Sequence, residues 1–328
     1  MKNQEHEGFM NRSIQTFMKS DYVDVNELDS YDVAYVGVPV EYGASYRKGQ
    51  ALAPKSIREH SYWDAVNGLN YFDTQKSEEI ISNHLHIADV GDIHITPTDI
   101  LKNQQAIIET ITDIRKRCFP LIIGGDHSIS YSTIQGVKKS LSKIQQDSFG
   151  VLHFDAHLDM ENGYLDMPSI FHGNPFRKLI EEGIIHGENH YSIGPRGMIP
   201  SYLIDFVRKN KVNLYTTPEI RKTNFEQFVS KIILEMRERF QAVFVTFDVD
   251  CIDATEMRGT GTPMEGGLSS LECQYFLREL KKLPVVGFEL VELAPQLDLS
   301  GLSSIISTNL LWNFLSFGLK DNGKNKLF

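Results

Sequence analysis

The sequence predicts an α/β fold, a three-layer αβα sandwich with a central, mostly parallel sheet, and two observations carry that expectation. From Asp32 onward, short β-rich apolar runs alternate with longer amphipathic segments. One of the runs, Ala242-Val243-Phe244-Val245-Thr246-Phe247, is almost continuously apolar, as a strand covered by helices on both faces must be. No repeat, low-complexity tract or Gly/Ser linker divides the 328 residues. Residues 31–328 are therefore read as one domain, preceded by a polar, mostly non-periodic N-terminal extension over residues 1–30.

The elements follow in order. Strands are expected at Val33–Val40, Pro120–Ile123, Phe149–Phe154, Tyr191–Ile193, Ala242–Phe247 and Pro284–Leu290, each a run of branched or aromatic residues. Ile100 to Arg117 places Ile107, Ile108, Ile111 and Ile114 at helical spacing, and Asn224 to Phe240 does the same with Phe225, Phe228, Ile232, Ile233 and Met236. In such a sheet, ligands bind beyond the carboxyl ends of the strands.

Composition narrows the function. The formal charge of -10 argues against a nucleic-acid partner and modestly favours small cations. Cys118, Cys251 and Cys273 are too few and too scattered for a disulfide framework, which fits a reducing compartment. No apolar stretch is long enough to span a bilayer, and MKNQEHEGFMNR lacks the apolar core of a signal peptide. The expectation is a soluble, cytoplasmic protein.

Three segments at strand ends carry the chemistry: Gly124-Gly125-Asp126-His127-Ser128, Asp155-Ala156-His157-Leu158-Asp159 and Asp248-Val249-Asp250-Cys251-Ile252-Asp253. Alternation in an extended chain turns Asp155, His157 and Asp159 one way, and pairs Asp248 with Asp250. With His127 they make four carboxylates and two imidazoles aimed at one region. Carboxylates so gathered repel one another, and divalent cations are the simplest neutralising partner. Six ligands exceed what one tetrahedral ion uses, so the set suggests two metals; oxygen and nitrogen donors without thiolate suit Mn²⁺ ahead of Mg²⁺, Co²⁺ or Ni²⁺.

Each segment also has a plainer reading. Asp-x-His-x-Asp fits a solvated turn, Gly-Gly-Asp-His a strand-to-helix turn with Asp126 as cap, and Asp-x-Asp a capping or salt-bridging pair. The agreement of all three is what favours metal. His84, His86 and His94, with Asp89 and Asp92 between them, are expected to be structural; His186 and His190 are expected on a surface turn, and Cys251 as a small buried residue.

The chain resembles the ureohydrolase superfamily, which includes arginase and agmatinase, over about residues 32 to 320. The resemblance runs in order through Gly37-Val38-Pro39, Gly43-Ala44-Ser45-Tyr46-Arg47-Lys48-Gly49, Ala88-Asp89-Val90-Gly91-Asp92, the three segments above, His172-Gly173-Asn174-Pro175-Phe176, Gly259-Thr260-Gly261-Thr262-Pro263 and Val291-Glu292-Leu293-Ala294-Pro295. It implies an arginase-like αβα fold, a centre of two Mn²⁺ ions per subunit, a homo-oligomer (trimer or hexamer) and hydrolysis of a guanidino compound to urea and an amine. It implies metal ligands at His127, Asp155, His157, Asp159, Asp248 and Asp250, a proton-transfer role for His172 and guanidinium binding by Glu292; Asp253 nearby is expected as a further catalytic residue that holds the cation in line with Glu292. On their own, His172 and Glu292 read as a loop histidine and a paired strand-end carboxylate. The chemistry asks for these parts, because a resonance-stabilised cation is a poor electrophile and neutral water a poor nucleophile, while the departing amine needs a proton.

Some positions depart from the family pattern. Ala254 and Thr255 follow Asp253 where proline is usual, Glu289 stands where aspartate is common, and Met167-Pro168-Ser169-Ile170-Phe171 replaces the Ser-x-Asn element of arginases. The Gly-Ala-Ser-Tyr-Arg-Lys-Gly loop, HGNPF with Arg177, and Ile193-Gly194-Pro195-Arg196-Gly197 look more like agmatinase. Agmatine, giving putrescine and so serving polyamine biosynthesis, is the expected substrate, with guanidinobutyrase or another amidinohydrolase, arginase included, as the alternative. Met160, Tyr164, Met167 and Phe171 are candidates for the substrate tail or for packing. A single-metal deacetylase-like enzyme would not need six ligands, and a non-catalytic scaffold would not need to keep them.

Overall fold

The computed structural model describes residues 15–64, 70–73, 78–81, 85–164 and 166–319. Among the described residues are eleven strands: β1 (Asp21–Tyr22), β2 (Val33–Val38), β3 (Asn70–Asp73), β4 (Glu78–Ile81), β5 (Ile87–Asp92), β6 (Phe119–Gly124), β7 (Phe149–Phe154), β8 (His190–Ile193), β9 (Asn213–Tyr215), β10 (Ala242–Asp248) and β11 (Val285–Val291). Nine form one sheet in the order β1-β5-β2-β6-β11-β10-β7-β8-β9, while β3 and β4 form a separate antiparallel pair. Every described pairing within the large sheet is parallel.

Side-chain alternation divides the core into two layers. On β2, Val33 and Tyr35 enter one cluster with Leu121 and Ile123, while Ala34, Val36 and Val38 enter the other with Ile122. The first cluster meets the helices Ala53–Asp64, Phe225–Arg239, Ser270–Glu279 and Leu302–Asn313, through residues such as Ile57, Ile232, Phe276 and Leu311. The second meets Ile100–Arg117, Ser130–Ser140, Pro175–Glu181 and Ser201–Lys209, through Ile111, Val137, Phe176 and Leu203. This is the three-layer αβα sandwich the sequence predicts. Both helices expected from periodicity form: Asp99 caps the first by accepting from Lys102 N, and Asn224 caps the second by accepting from Gln227 N.

Residues 17–30, polar by composition, lie along the sheet. Phe17 is fully buried and stacks on Tyr35, with ring centroids 4.8 Å apart, and its N–H donates to Asp89 Oδ2. Arg58 binds Asp89 through Nε at 2.8 Å and Asp92 through Nη1 at 2.6 Å, so the Ala-Asp-Val-Gly-Asp segment braces this edge. His84 lies outside the described residues. His86 donates its backbone N–H to Asp32, in keeping with a structural role. No helix among the described residues is long and apolar enough to cross a membrane.

Candidate metal centre and active site

Four neighbouring strands of the sheet, β6, β11, β10 and β7, end at one place. The turns after β6 and β7 deliver His127 and Asp155, the end of β10 delivers Asp248, and the residue after β11 is Glu292. The turn after β6 must pass close to its neighbour: a Cβ at Gly125 would lie 1.6 Å from the Val40 carbonyl oxygen, which only glycine avoids. Asp126 and Asp248 do cap, accepting from Ser128 N and Asp250 N, and the capping reading and the converging reading hold together.

All six expected ligands converge, in two groups. Around His127 Nδ1 lie Asp159 Oδ2 at 2.9 Å, Asp155 Oδ2 at 3.1 Å and Asp248 Oδ2 at 3.2 Å. Around His157 Nδ1 lie Asp250 Oδ2 at 3.1 Å and Asp155 Oδ1 at 3.3 Å. Asp155 therefore turns one oxygen to each histidine. Asp159 is held with φ 49° and Glu292 with φ 64°, a left-handed backbone that non-glycine residues rarely adopt and that clusters at functional sites.

The donor set fits cations. His127 Nε2 lies 2.9 Å from Thr246 Oγ1, while Nδ1 is buried without a hydrogen-bond partner and faces three carboxylate oxygens. Burial, with the charges of Asp250 and Asp155, pushes the Asp248 carboxyl well up, and burial with Asp155 pushes Asp159 up to about 6. Burial opposes an imidazolium at His127, yet its three acidic neighbours raise it well above the usual range. Negative charge is thus in excess, as at a site for divalent ions. Cys251 and Cys273 are buried free thiols, and among the described residues the groups of side chains able to hold an ion contain no cysteine, so the donors are oxygen and nitrogen.

A second layer orients the first. His153 Nε2 lies 2.8 Å from Asp155 Oδ2, and its Nδ1 lies 3.2 Å from His190 Nε2. Phe176 packs on both rings, with centroids 4.2 and 4.7 Å away. His190 is fully buried in β8, so the expected surface turn is corrected for it: the strand begins at His190 and turns its ring under His153. Thr246 is in turn bonded to Glu289, which also accepts from Ser130 and from Thr133 at 2.6 Å. Asp250 accepts from Ala156 N at 3.0 Å and Thr262 Oγ1 at 3.1 Å. His153 was missed in the sequence, although it precedes Asp155 by two residues and shares its face.

His172 stands beside the candidate ligands. Its Nδ1 lies 3.2 Å from Glu292 Oε1 and its Nε2 2.7 Å from Ser45 Oγ. Glu292, 1% exposed, also accepts from His127 N at 2.8 Å and from Gln50 Nε2 at 2.9 Å. Burial works against the His172 cation, but Glu292, followed by Asp159 and Asp126, outweighs it and lifts the imidazole to about 9. The loop holding Ser45 is tied in by Gly43 N donating to Asp126 and by Arg47 donating to the Gly261 and Thr260 carbonyls. Asp253 is not brought to the cavity. Its carboxylate accepts from Thr255 N and Oγ1 and from Gly266 N and Gly267 N, and these bonds hold it down at about 2.

A cavity of about 280 Å³ opens above the candidate ligands, with His157, Asp159, Asp248 and His172 among its lining residues. Of the expected tail residues, Tyr164 and Phe171 line it; Met160 is fully buried in the core and Met167 is not among the lining residues. Glu161, Met198, Ile199, Leu203 and Met264 also line it, and no motif in the sequence marks them.

Residues 31–316 match the Arginase family. The chain is 30% identical to guanidinobutyrase from Pseudomonas aeruginosa, over 92% of this chain and 91% of that one, and 32% identical to mitochondrial agmatinase from Gallus gallus, over 88% and 81%. Its structure superposes on proclavaminate amidino hydrolase from Streptomyces clavuligerus with a TM-score of 0.82 at 28% identity, covering 96% of this chain and 100% of the other. The chain therefore belongs to the arginase family, hydrolases acting on guanidino and amidino compounds.

Proposed function

We propose that the protein hydrolyses a guanidino compound to urea and a primary amine at a two-ion centre held by His127, Asp155, His157, Asp159, Asp248 and Asp250. The observation that carries this reading is Asp155, whose two oxygens face two separate histidines 3.1 and 3.3 Å away. Two divalent cations, proposed to be Mn²⁺, supply charge neutralisation and activation of water when bound.

The protein's own groups do the rest. Water oxygen adds to the guanidinium carbon and gives up both its protons, the bond from that carbon to the substituted nitrogen breaks, and the nitrogen leaves as an amine with one added proton. His172, protonated near neutral pH beside Glu292, donates that proton; Ser45 fixes the ring through Nε2. Of the two protons from water, one restores His172 and the other makes the released amine an ammonium. Glu292 keeps His172 charged and supplies negative charge towards the guanidinium. Asp253 serves the loop around it rather than the reaction.

Agmatine is the favoured substrate, on the resemblance of the Ser45 and His172 loops to agmatinase; the product would be putrescine, for polyamine formation. Guanidinobutyrate is the second reading, favoured by the 30% identity to guanidinobutyrase across 92% of the chain. A homo-oligomer is proposed with this assignment. The test is urea release by the Mn²⁺-loaded protein from a panel of guanidino compounds; release from one or more is expected, and release from none contradicts the reading.

A further inference from the structure

The cavity wall carries information about the end of the substrate that does not react. Arg196 is the one arginine or lysine among the lining residues, and it is 5% exposed. Its guanidinium is committed to backbone: Nε donates to Glu265 O at 3.1 Å, Nη1 to Gly194 O and Cys251 O at 3.3 Å, and Nη2 to Asp250 O at 2.7 Å and Met264 O at 2.8 Å. A guanidinium has five N–H donors, and these contacts occupy all three nitrogens. The other basic lining groups, His157 and His172, face Asp155 and Asp250 or Glu292 at the cavity floor. Among the described residues, the wall thus offers a carboxylate no uncommitted cation.

It does offer a carboxylate of its own. Glu161 lines the cavity, anchored by its N–H donating to Gly173 O at 2.8 Å, and its Oε2 accepts from the Tyr202 hydroxyl at 2.5 Å. Nearby, Phe171 and Met264, with the half-exposed Tyr164 ring 5.6 Å from Phe171 and the exposed Met198 at the rim, give the cavity an apolar side suited to an alkyl chain. An anion beside aromatic faces attracts an ammonium and repels a carboxylate.

We propose that Glu161 is a specificity-determining residue that reads the charge at the far end of the substrate, favouring guanidines with a cationic tail and rejecting guanidino acids. This rests on the hydrolase reading above. It separates the chain from its guanidinobutyrase relative, which sequence identity does not, since 30% and 32% stand almost level.

Three guanidines of similar length test it on the Mn²⁺-loaded full-length protein: agmatine, N-butylguanidine and 4-guanidinobutyrate, whose tails are cationic, neutral and anionic. The expected order of kcat/KM is agmatine, then butylguanidine, then guanidinobutyrate. Glu161→Gln should shrink the agmatine-to-butylguanidine ratio on the order of fivefold, through KM rather than kcat, the size of a partly exposed charge pair. Glu161→Arg should raise guanidinobutyrate above agmatine. A wild-type order that does not begin with agmatine, hydrolysis of other guanidines but none of these three, or a ratio untouched by Glu161→Gln, overturns the proposal, whereas urea release from no compound of the wider panel overturns the hydrolase reading instead. Should the variants not fold, competitive inhibition of the wild type decides: butane-1,4-diamine should bind more tightly than butylamine and 4-aminobutyrate, and any other order overturns the assignment.

Discussion

His153 places Nε2 2.8 Å from Asp155 Oδ2, under the carboxylate that turns an oxygen to each histidine of the centre. Burial lowers the imidazole of His153, and lowers that of His190 further, so the pair stays neutral and acts by orientation. Partners of this kind fix the direction of metal-ligating groups, and their loss typically costs about 10–100-fold in metal affinity. His153→Ala is expected to weaken Mn²⁺ binding by roughly that factor in titration calorimetry, with partial recovery in His153→Asn. A lower melting temperature with unchanged affinity would make His153 a packing residue only.

The His172–Glu292 pair predicts a pH profile. The His172 imidazole is raised to about 9, so its proton-donating form is present below that value and is lost as pH rises through it. The turnover rate should fall on the alkaline side with a limb near 9. Glu292→Gln removes the charge that outweighs burial, so the limb should move towards the ordinary histidine value near 6.5. His172→Asn should lose at least about 10²-fold in kcat, the usual scale of general acid catalysis. A limb that stays in place in Glu292→Gln would separate the two residues functionally.

Arg58 predicts stability at the sheet edge. It is 8% exposed and joined to the fully buried Asp89 and to Asp92, and Asp89 also receives Phe17 N. Arg58→Ala leaves a buried carboxylate without its cation, a change that costs about 3–5 kcal/mol. Chemical denaturation followed by circular dichroism measures it, and a loss under about 1 kcal/mol would mean the edge relaxes to rehydrate Asp89.

Much of this was legible in the sequence because apolar strand runs and the acidic segments that follow them are local features. Asp155, His157 and Asp159 lie in a bend beyond the strand Phe149–Phe154, with Asp159 at φ 49°, and Asp250 sits in a 3-10 turn, so the expected period-two alternation is corrected; placement at the ends of parallel strands is what brings them to His127 and Asp248. What stayed hidden depends on packing between distant segments. His190 reads as part of a turn until β8 is seen beside β7, in a register that sets it opposite Val151. Gln50 meets Glu292 across 242 residues, and Glu161 gains its meaning only from Arg196, whose donors are spent on carbonyls the sequence cannot locate. Asp253 shows the converse: its place in a metal-rich segment suggested a site role, but hydrogen bonds from residues 255, 266 and 267 commit it to its loop.

The centre itself is tested most directly by counting metal. Inductively coupled plasma mass spectrometry of the Mn²⁺-loaded, desalted protein should give two ions per chain, because His127 and His157 each gather acidic oxygens of their own and share Asp155. One ion per chain, or none, at saturating Mn²⁺ would contradict a two-ion centre.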